Sequence, residues 1–169
     1  MLFRSYLAMG LDGISTLNDL AGGVTVTLED DFSAADPAMT KGATLTLQGN
    51  QAEIFVRRRM DIGEGTNEAR MVRQEEYLAQ LSAQLESRVQ QDQQFTAQVY
   101  DALQPYLVTD LAKGQLVNEV WAAKDDTVEP AIALEGEHKV AEDGFTEFYP
   151  TEASIQKAVL TLFWEPVEE

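Results

Sequence analysis

This chain of 169 residues predicts an α/β fold, and three observations carry the prediction. Short segments such as Val24-Thr25-Val26-Thr27-Leu28 alternate apolar and polar side chains, the period of a half-buried strand. Between them lie longer segments whose apolar residues recur every three or four positions, the period of a helix. A hydrophobic fraction of 44% and a charged fraction of 24% suit one globular domain with a core. Strands and helices interleave without a repeat, so the expected architecture is a three-layer α-β-α sandwich around a central mixed sheet. The expected domain is single and covers residues 1–169.

Each element has its own justification. Residues 2 to 9 are mostly apolar and predict a short buried strand. Asp12 is placed to cap a helix carrying Ile14, Leu17 and Leu20, and Gly22-Gly23 supplies its left-handed stop. Val24 to Leu28 predicts a strand, Asp30 to Gly42 a loop, and Thr44 to Leu47 a further extended segment. Asn50 followed by Glu53 has capping-box spacing and predicts a helix from Gln51 toward Arg57. Gly63 and Gly65 interrupt it. A long helix is expected over about Asn67 to Gln90, with Met71, Leu78, Leu81, Leu85 and Val89 as its inward stripe. Phe95 to Tyr106 predicts another helix, ended by Pro105, and a further one spans Leu111 to Trp121. Ile132 to Leu134 and Phe145 to Tyr149 predict strands. Thr151 caps a last helix with Ile155, Val159 and Leu162 facing inward.

Charge excludes several functions. A net charge of −17 argues against nucleic-acid binding, which needs a broad basic surface, and against general adhesion to anionic membranes. The chain has no cysteine, which excludes disulfides, thiolate metal sites and cysteine catalysis. No apolar run reaches the length of a membrane span, and Met1 to Leu7 lacks the layout of a signal peptide, so a soluble chain is expected. No Gly-x-Ser-x-Gly elbow and no glycine-rich phosphate loop is present. The lone His138 reads as a surface loop residue, and Asp30-Asp31 and Asp125-Asp126 read as solvated loop acids rather than cation ligands. The five methionines read as core packing.

Five of the seven arginines nevertheless fall between positions 57 and 73: Arg57, Arg58, Arg59, Arg70 and Arg73. With Asp61, Glu64 and Glu68 between them, they leave a local positive surplus inside a strongly acidic chain. Planar guanidinium groups match the oxygens of phosphates and carboxylates in pairs, so the cluster points to a small, highly charged anion. Internal pairing with nearby carboxylates is the competing explanation. Arg70 and Arg73, three apart in the first turns of a helix, share a face beside its positive end. Arg57 and Arg59 lie about 200° apart in a continuous helix and serve one pocket only if the helix ends between them. Arg58 then points elsewhere and reads as a surface residue.

The order of motifs around the cluster is distinctive. Leu20-Ala21-Gly22-Gly23-Val24-Thr25-Val26 precedes Leu47-Gln48-Gly49-Asn50-Gln51-Ala52, then Phe55-Val56-Arg57-Arg58-Arg59, then Arg70-Met71-Val72-Arg73-Gln74. This order resembles the LytR-CpsA-Psr family of bacterial cell-wall enzymes, and Leu134-Glu135-Gly136 and Phe148-Tyr149-Pro150 extend the resemblance over nearly the whole chain. The resemblance implies a phosphotransferase that moves a glycopolymer of teichoic-acid or capsule type from a polyprenyl-pyrophosphate carrier to peptidoglycan. It implies a central sheet, an apolar groove for the lipid, lined in part by Met71, Leu78 and Leu81, and Mg2+ as cofactor. It also implies that Arg57, Arg59, Arg70 and Arg73 bind the pyrophosphate, with Arg70 and Arg73 in the catalytic role. The family is extracytoplasmic and membrane-anchored.

Two departures keep a second reading open. Asn67 stands where the family often carries an aspartate, and an amide can cap a helix but not act as a base. Met1 aligns part-way into the family's domain, so the chain is expected to match roughly its C-terminal two thirds, short on the N-terminal side. The alternative is a non-catalytic domain that holds a pyrophosphate lipid or an anionic glycan without turnover.

Overall fold

Alternating side chains let a strand bury one face, and Val26 shows this most simply. It is 2% exposed, while Thr25 and Thr27 face outward on the same strand. The computed structural model describes residues 5–63, 65–126 and 132–164. It divides into two compact units, Met1–Asp126 and Thr127–Glu169.

The first unit runs β1 (Leu7–Met9), α1 (Gly13–Ala21), β2 (Thr25–Thr27), β3 (Thr44–Thr46), α2 (Asn50–Arg57), α3 (Asn67–Gln91), α4 (Phe95–Leu103), β4 (Leu107–Thr109) and α5 (Lys113–Ala122). A 3-10 turn at Gln104–Tyr106 joins α4 to β4, where the sequence suggested only a helix end at Pro105. Residues 2–4 of the first expected strand lie outside the described residues. The α/β class holds. The described strands pair two by two in antiparallel ladders, β1 with β4 and β2 with β3, rather than across one broad sheet. On the open face of the second ladder, Thr25 faces Thr46 and Thr27 faces Thr44, each hydroxyl pair 2.8 Å apart. Such rungs stabilise by a few tenths of a kcal/mol to about 1 kcal/mol each.

α1 packs on α2, α3 and α4, and α2 packs on α3. The core between them gathers Val24, Leu28, Leu47, Phe55 and Leu81 with Phe32 and Met39 from the 30–42 loop. Phe32 stacks at 5.8 Å from Phe55, and its N–H donates to the Met39 carbonyl at 2.9 Å. Burying one such phenyl ring contributes roughly 1.5–3 kcal/mol, so this loop is pinned to the core at both ends. Gly23 shows why a glycine pair ends α1. Its φ is +85°, and a Cβ there would lie 2.4 Å from Gln48 Nε2 and 2.7 Å from the Leu47 carbonyl oxygen. No side chain fits where the chain crosses so closely over β3.

Several local expectations are corrected. Asp12 occupies the cap position of α1 but makes no capping bond. α2 begins after Gly49 at φ +51°, so Asn50 is its first residue rather than its cap. The inward face of α3 is set by Tyr77, Leu81 and Val89, while Met71 and Leu78 are 47% and 57% exposed. The stripe drawn through Met71 and Leu78 is therefore wrong, because the helix turns Arg70, Arg73 and Gln74 toward the protein in the two turns before Tyr77. Met39 is in the core, but Met60 and Met71 are exposed.

The second unit, by itself, holds β5 (Gly136–Val140), β6 (Thr146–Pro150) and α6 (Glu152–Phe163). β5 and β6 form an antiparallel hairpin with His138 opposite Phe148. His138 is thus a strand residue stacked 5.1 Å from the Phe148 ring, not a loop residue. Residues 132–134 are coil, and the strand starts at Gly136. Thr151 caps α6 by accepting from the Ser154 N–H at 3.2 Å, as its sequence position predicts. Ala158 is the buried residue of α6, whereas Ile155, Val159 and Leu162 are 41–50% exposed, against expectation. Among the described residues no helix is long and apolar enough to cross a membrane.

Candidate functional site

The five clustered arginines take their places from two helix ends. α2 stops at Arg57, and Arg58 has extended backbone (φ −69°, ψ 134°), so the chain leaves the helix between Arg57 and Arg59. α3 starts after Thr66, whose hydroxyl accepts from the Ala69 N–H at 3.1 Å. That cap leaves the Asn67 side chain unneeded for helix initiation.

Asn67 is where two arginines meet. Arg59 Nη1 donates to Asn67 Oδ1 at 2.9 Å, and Arg70 Nη2 reaches the same oxygen at 3.4 Å. One neutral acceptor thus serves two cations. Arg70 Nε is buried and has no hydrogen-bond partner among the described residues. A buried, unsatisfied charged donor costs more than an ordinary lost hydrogen bond, so such a group is a natural seat for an anion's oxygen.

Arg73 is held differently. Its side chain is 11% exposed, its Nη1 donates to Asp30 Oδ2 at 3.2 Å, and its Nη2 donates to the Arg58 carbonyl at 2.6 Å. The guanidinium also lies 5.3 Å from the centre of the Phe32 ring. Burial pushes its pKa down from the ordinary arginine range; Asp30 opposes that shift, and neighbouring Arg70 adds to it. Arginine remains charged at neutral pH under such shifts. Gln74, one residue on, donates to the Val56 carbonyl at 2.9 Å and ties α3 to α2.

Arg57 pairs with Glu53 one turn back along α2 and is 47% exposed. It lines a surface recess of about 430 Å3 with Asn50, Glu53, Ile54, Arg58 and Met60. Arg59 lines a second recess, about 640 Å3, with Met60, Asp61, Ile62, Gly63 and Gly65. The structure therefore brings Arg59 and Arg70 together, sets Arg73 against the loop beneath, and leaves Arg57 on its own helix with Met60 between the two recesses. Arg58, read as a surface residue, is half-buried and matters through its carbonyl.

Sequence reasoning missed Asp30. Residue order groups it with Asp31 as a solvated acid, yet its side chain is 24% exposed and bound to Arg73, 43 positions away. No local spacing announces such a pair; the available signal was an acid two residues before an apolar Phe32. Asp31 does behave as a loop acid, its pKa lowered by hydrogen bonds from Ser33. Among the described residues no group of three or more His, Asp or Glu side chains could hold a metal ion. Asp30 is engaged by Arg73. Mg2+ is usually held by one or two carboxylates together with waters and substrate phosphates rather than by an all-protein cage.

No curated protein matches the chain. Its fold is similar to that of protein gbs0355 from Streptococcus agalactiae, at 20% identity and a TM-score of 0.75, covering 95% of this chain and 57% of that one. TagV of B. subtilis is similar at 16% identity and a TM-score of 0.64, with coverages of 98% and 66%. TagT, in a structure bound to LI-WTA, is similar at 17% identity and a TM-score of 0.65, with coverages of 91% and 57%. The chain thus spans 57% to 66% of the length of these three. The LytR_cpsA_psr family pattern runs over residues 2–162, across both compact units, and with the motif order and the shared fold this places the chain in the LytR_cpsA_psr family.

Proposed function

We propose that the arginine cluster binds the pyrophosphate head of a polyprenyl-linked glycopolymer, and that the chain takes part in transferring that polymer to peptidoglycan outside the cell membrane. One observation carries the reading: Arg59 and Arg70 converge on the single neutral oxygen of Asn67, and Arg70 Nε is buried without a partner among the described residues. A phosphate oxygen satisfies donors that an amide oxygen shares poorly. Family membership and the likeness to TagT, whose structure holds LI-WTA, support the choice of ligand.

In the proposed reaction a sugar hydroxyl of peptidoglycan attacks the polymer-bearing phosphorus, and a new P–O bond forms as the bridging P–O bond of the pyrophosphate breaks. Polyprenyl phosphate leaves, and the hydroxyl proton passes to the departing phosphate or to water. Arg59 and Arg70 neutralise charge on the phosphoryl oxygens and the leaving group. Arg57 joins them by releasing Glu53, an exposed pair worth about 0–1 kcal/mol that cannot compete with a polyanion. Arg73 is assigned chiefly to support, because both its terminal nitrogens are engaged by protein, which leaves its buried Nε as the one donor it can offer a ligand. The Mg2+ implied by the family resemblance is given no side chain of this chain, and no step is routed through it.

Asn67 favours a second reading, binding without turnover, since an amide supplies neither a base nor a full negative charge at the point where the two arginines meet. Titration of the chain with geranyl pyrophosphate, then with Arg70→Ala, tests the site. Loss of one to three charge-assisted hydrogen bonds predicts affinity down by about tenfold or more. Equal affinity in the variant would remove the site. A transfer assay with a lipid-linked donor and an oligosaccharide acceptor separates the two readings: turnover supports the transferase, binding alone the holding domain.

A further inference from the structure

Asp30 lies under Gly63 as tightly as the backbone allows. A Cβ built on Gly63 would stand 2.1 Å from Asp30 Oδ1 and 2.5 Å from its carboxyl carbon. The carboxylate beneath engages Arg73 Nη1, and the other end of the same guanidinium holds the Arg58 carbonyl at 2.6 Å. Arg58 is the residue at which α2 gives way to extended chain, and Arg59 is the next. Phe32, two residues after Asp30, is 1% exposed and lies against the Arg73 guanidinium, so the carboxylate is anchored to the core.

We infer that Asp30 is a positioning residue: through Arg73 it fixes the Arg58 carbonyl and so directs Arg59 toward Asn67 and Arg70. The inference rests on the pyrophosphate reading and adds to it a residue that touches no ligand. A rigid planar fork explains why an arginine is needed at 73, since one guanidinium must bond a carboxylate and a backbone carbonyl at once. A lysine ammonium has no such fixed geometry.

The sign of the effect discriminates. If Asp30 merely competed with the ligand for Arg73, deleting its charge would free a cation and tighten anion binding. Coulomb attraction by itself predicts the same, because a negative charge leaves the neighbourhood. A positioning role predicts the reverse: Asp30→Asn loosens the clamp, and geranyl pyrophosphate binds about tenfold more weakly, the equivalent of one misdirected charge-assisted hydrogen bond. Gly63→Ala pushes on the same carboxylate with no change of charge and is expected to weaken binding in parallel. At φ +43° it also strains the loop beside Arg59, so its weight lies in the opposite outcome, unchanged affinity, which the inference forbids.

The experiment is calorimetric titration of geranyl pyrophosphate into the 169-residue chain and into Asp30→Asn, Gly63→Ala and Arg70→Ala, with circular dichroism to establish that each is folded. Weaker binding in both clamp variants, with Arg70→Ala weaker too, supports the inference. Equal or tighter binding in Asp30→Asn, with Arg70→Ala impaired, overturns it and leaves the pyrophosphate site standing. Absence of binding by the unsubstituted chain, or an Arg70→Ala variant that binds as well, overturns the site reading and this inference together. If Asp30→Asn does not fold, Gly63→Ala decides, and unchanged affinity there overturns the inference.

Discussion

The inward face of α3 carries two polar arrangements within a few turns of each other, and they are finished to different degrees. Around Tyr77 every group is paired. Asn18, fully buried, donates to the Leu47 carbonyl at 2.8 Å and to Asp19 Oδ1 at 3.0 Å. Its Oδ1 accepts from the Val24 N–H and the Tyr77 hydroxyl, both at 3.2 Å. Around Arg70 and Arg73, by contrast, two buried Nε atoms have no partner among the described residues. A complete network ties α1 and α3 to the residues that flank β2 and β3 and asks nothing of a ligand. An incomplete, cationic one leaves donors for something else to satisfy. The difference separates architecture from site more sharply than residue type does.

That comparison can be broken by experiment, beginning at the closed network. Asn18→Ala removes two donors and an acceptor from a buried centre and strands the Val24 N–H, the Leu47 carbonyl and the Tyr77 hydroxyl. A loss of about 2–4 kcal/mol is expected in urea unfolding, from several unsatisfied groups together. A change below about 0.5 kcal/mol, the level of an ordinary surface substitution, would show that the network is not what holds the elements together.

Tyr77→Phe removes one bond from the same network and is expected to cost about 1 kcal/mol at neutral pH. The pH dependence sharpens it. Burial, with Asp19 adding to it, raises the Tyr77 pKa from 10.0 to about 12. The folded state therefore holds its proton more tightly than the unfolded state does. Its contribution is complete below pH 10 and declines as pH rises through about 12. Unfolding free energy should fall across that window in the unsubstituted chain and fall less in Tyr77→Phe. Parallel curves would mean that another group governs the alkaline limb.

Arg57→Ala should have the smallest effect on stability. Its pair with Glu53 is a half-exposed bridge within one helix, worth roughly 0.3–0.5 kcal/mol. If Arg57 joins the site as proposed, geranyl pyrophosphate affinity drops severalfold while the melting curve barely moves. No change in affinity would confine the site to Arg59 and Arg70.

Much of this molecule is legible in residue order. The strand at 25–27, the glycine stop of α1, the break after Arg57 and the Thr151 cap all follow from local periodicity and backbone chemistry, which act between neighbours. The arginine cluster is visible for the same reason, as an excess of one charge over a short stretch of chain. What lies beyond residue order is partnership at a distance. Asp30 finds Arg73 across 43 positions, and Tyr77 finds Asn18 across 59. Met71 and Leu78, apolar at plausible helical spacing, turn outward because the face through Arg73, Gln74, Tyr77 and Leu81 is the one that meets the rest of the first unit. Helical period restricts the choice to a few faces; which face is buried depends on the surfaces that α1 and α2 present to it. The same packing divides the arginines: Arg73 is drawn in over Phe32, and Arg59 is left where a ligand can reach it.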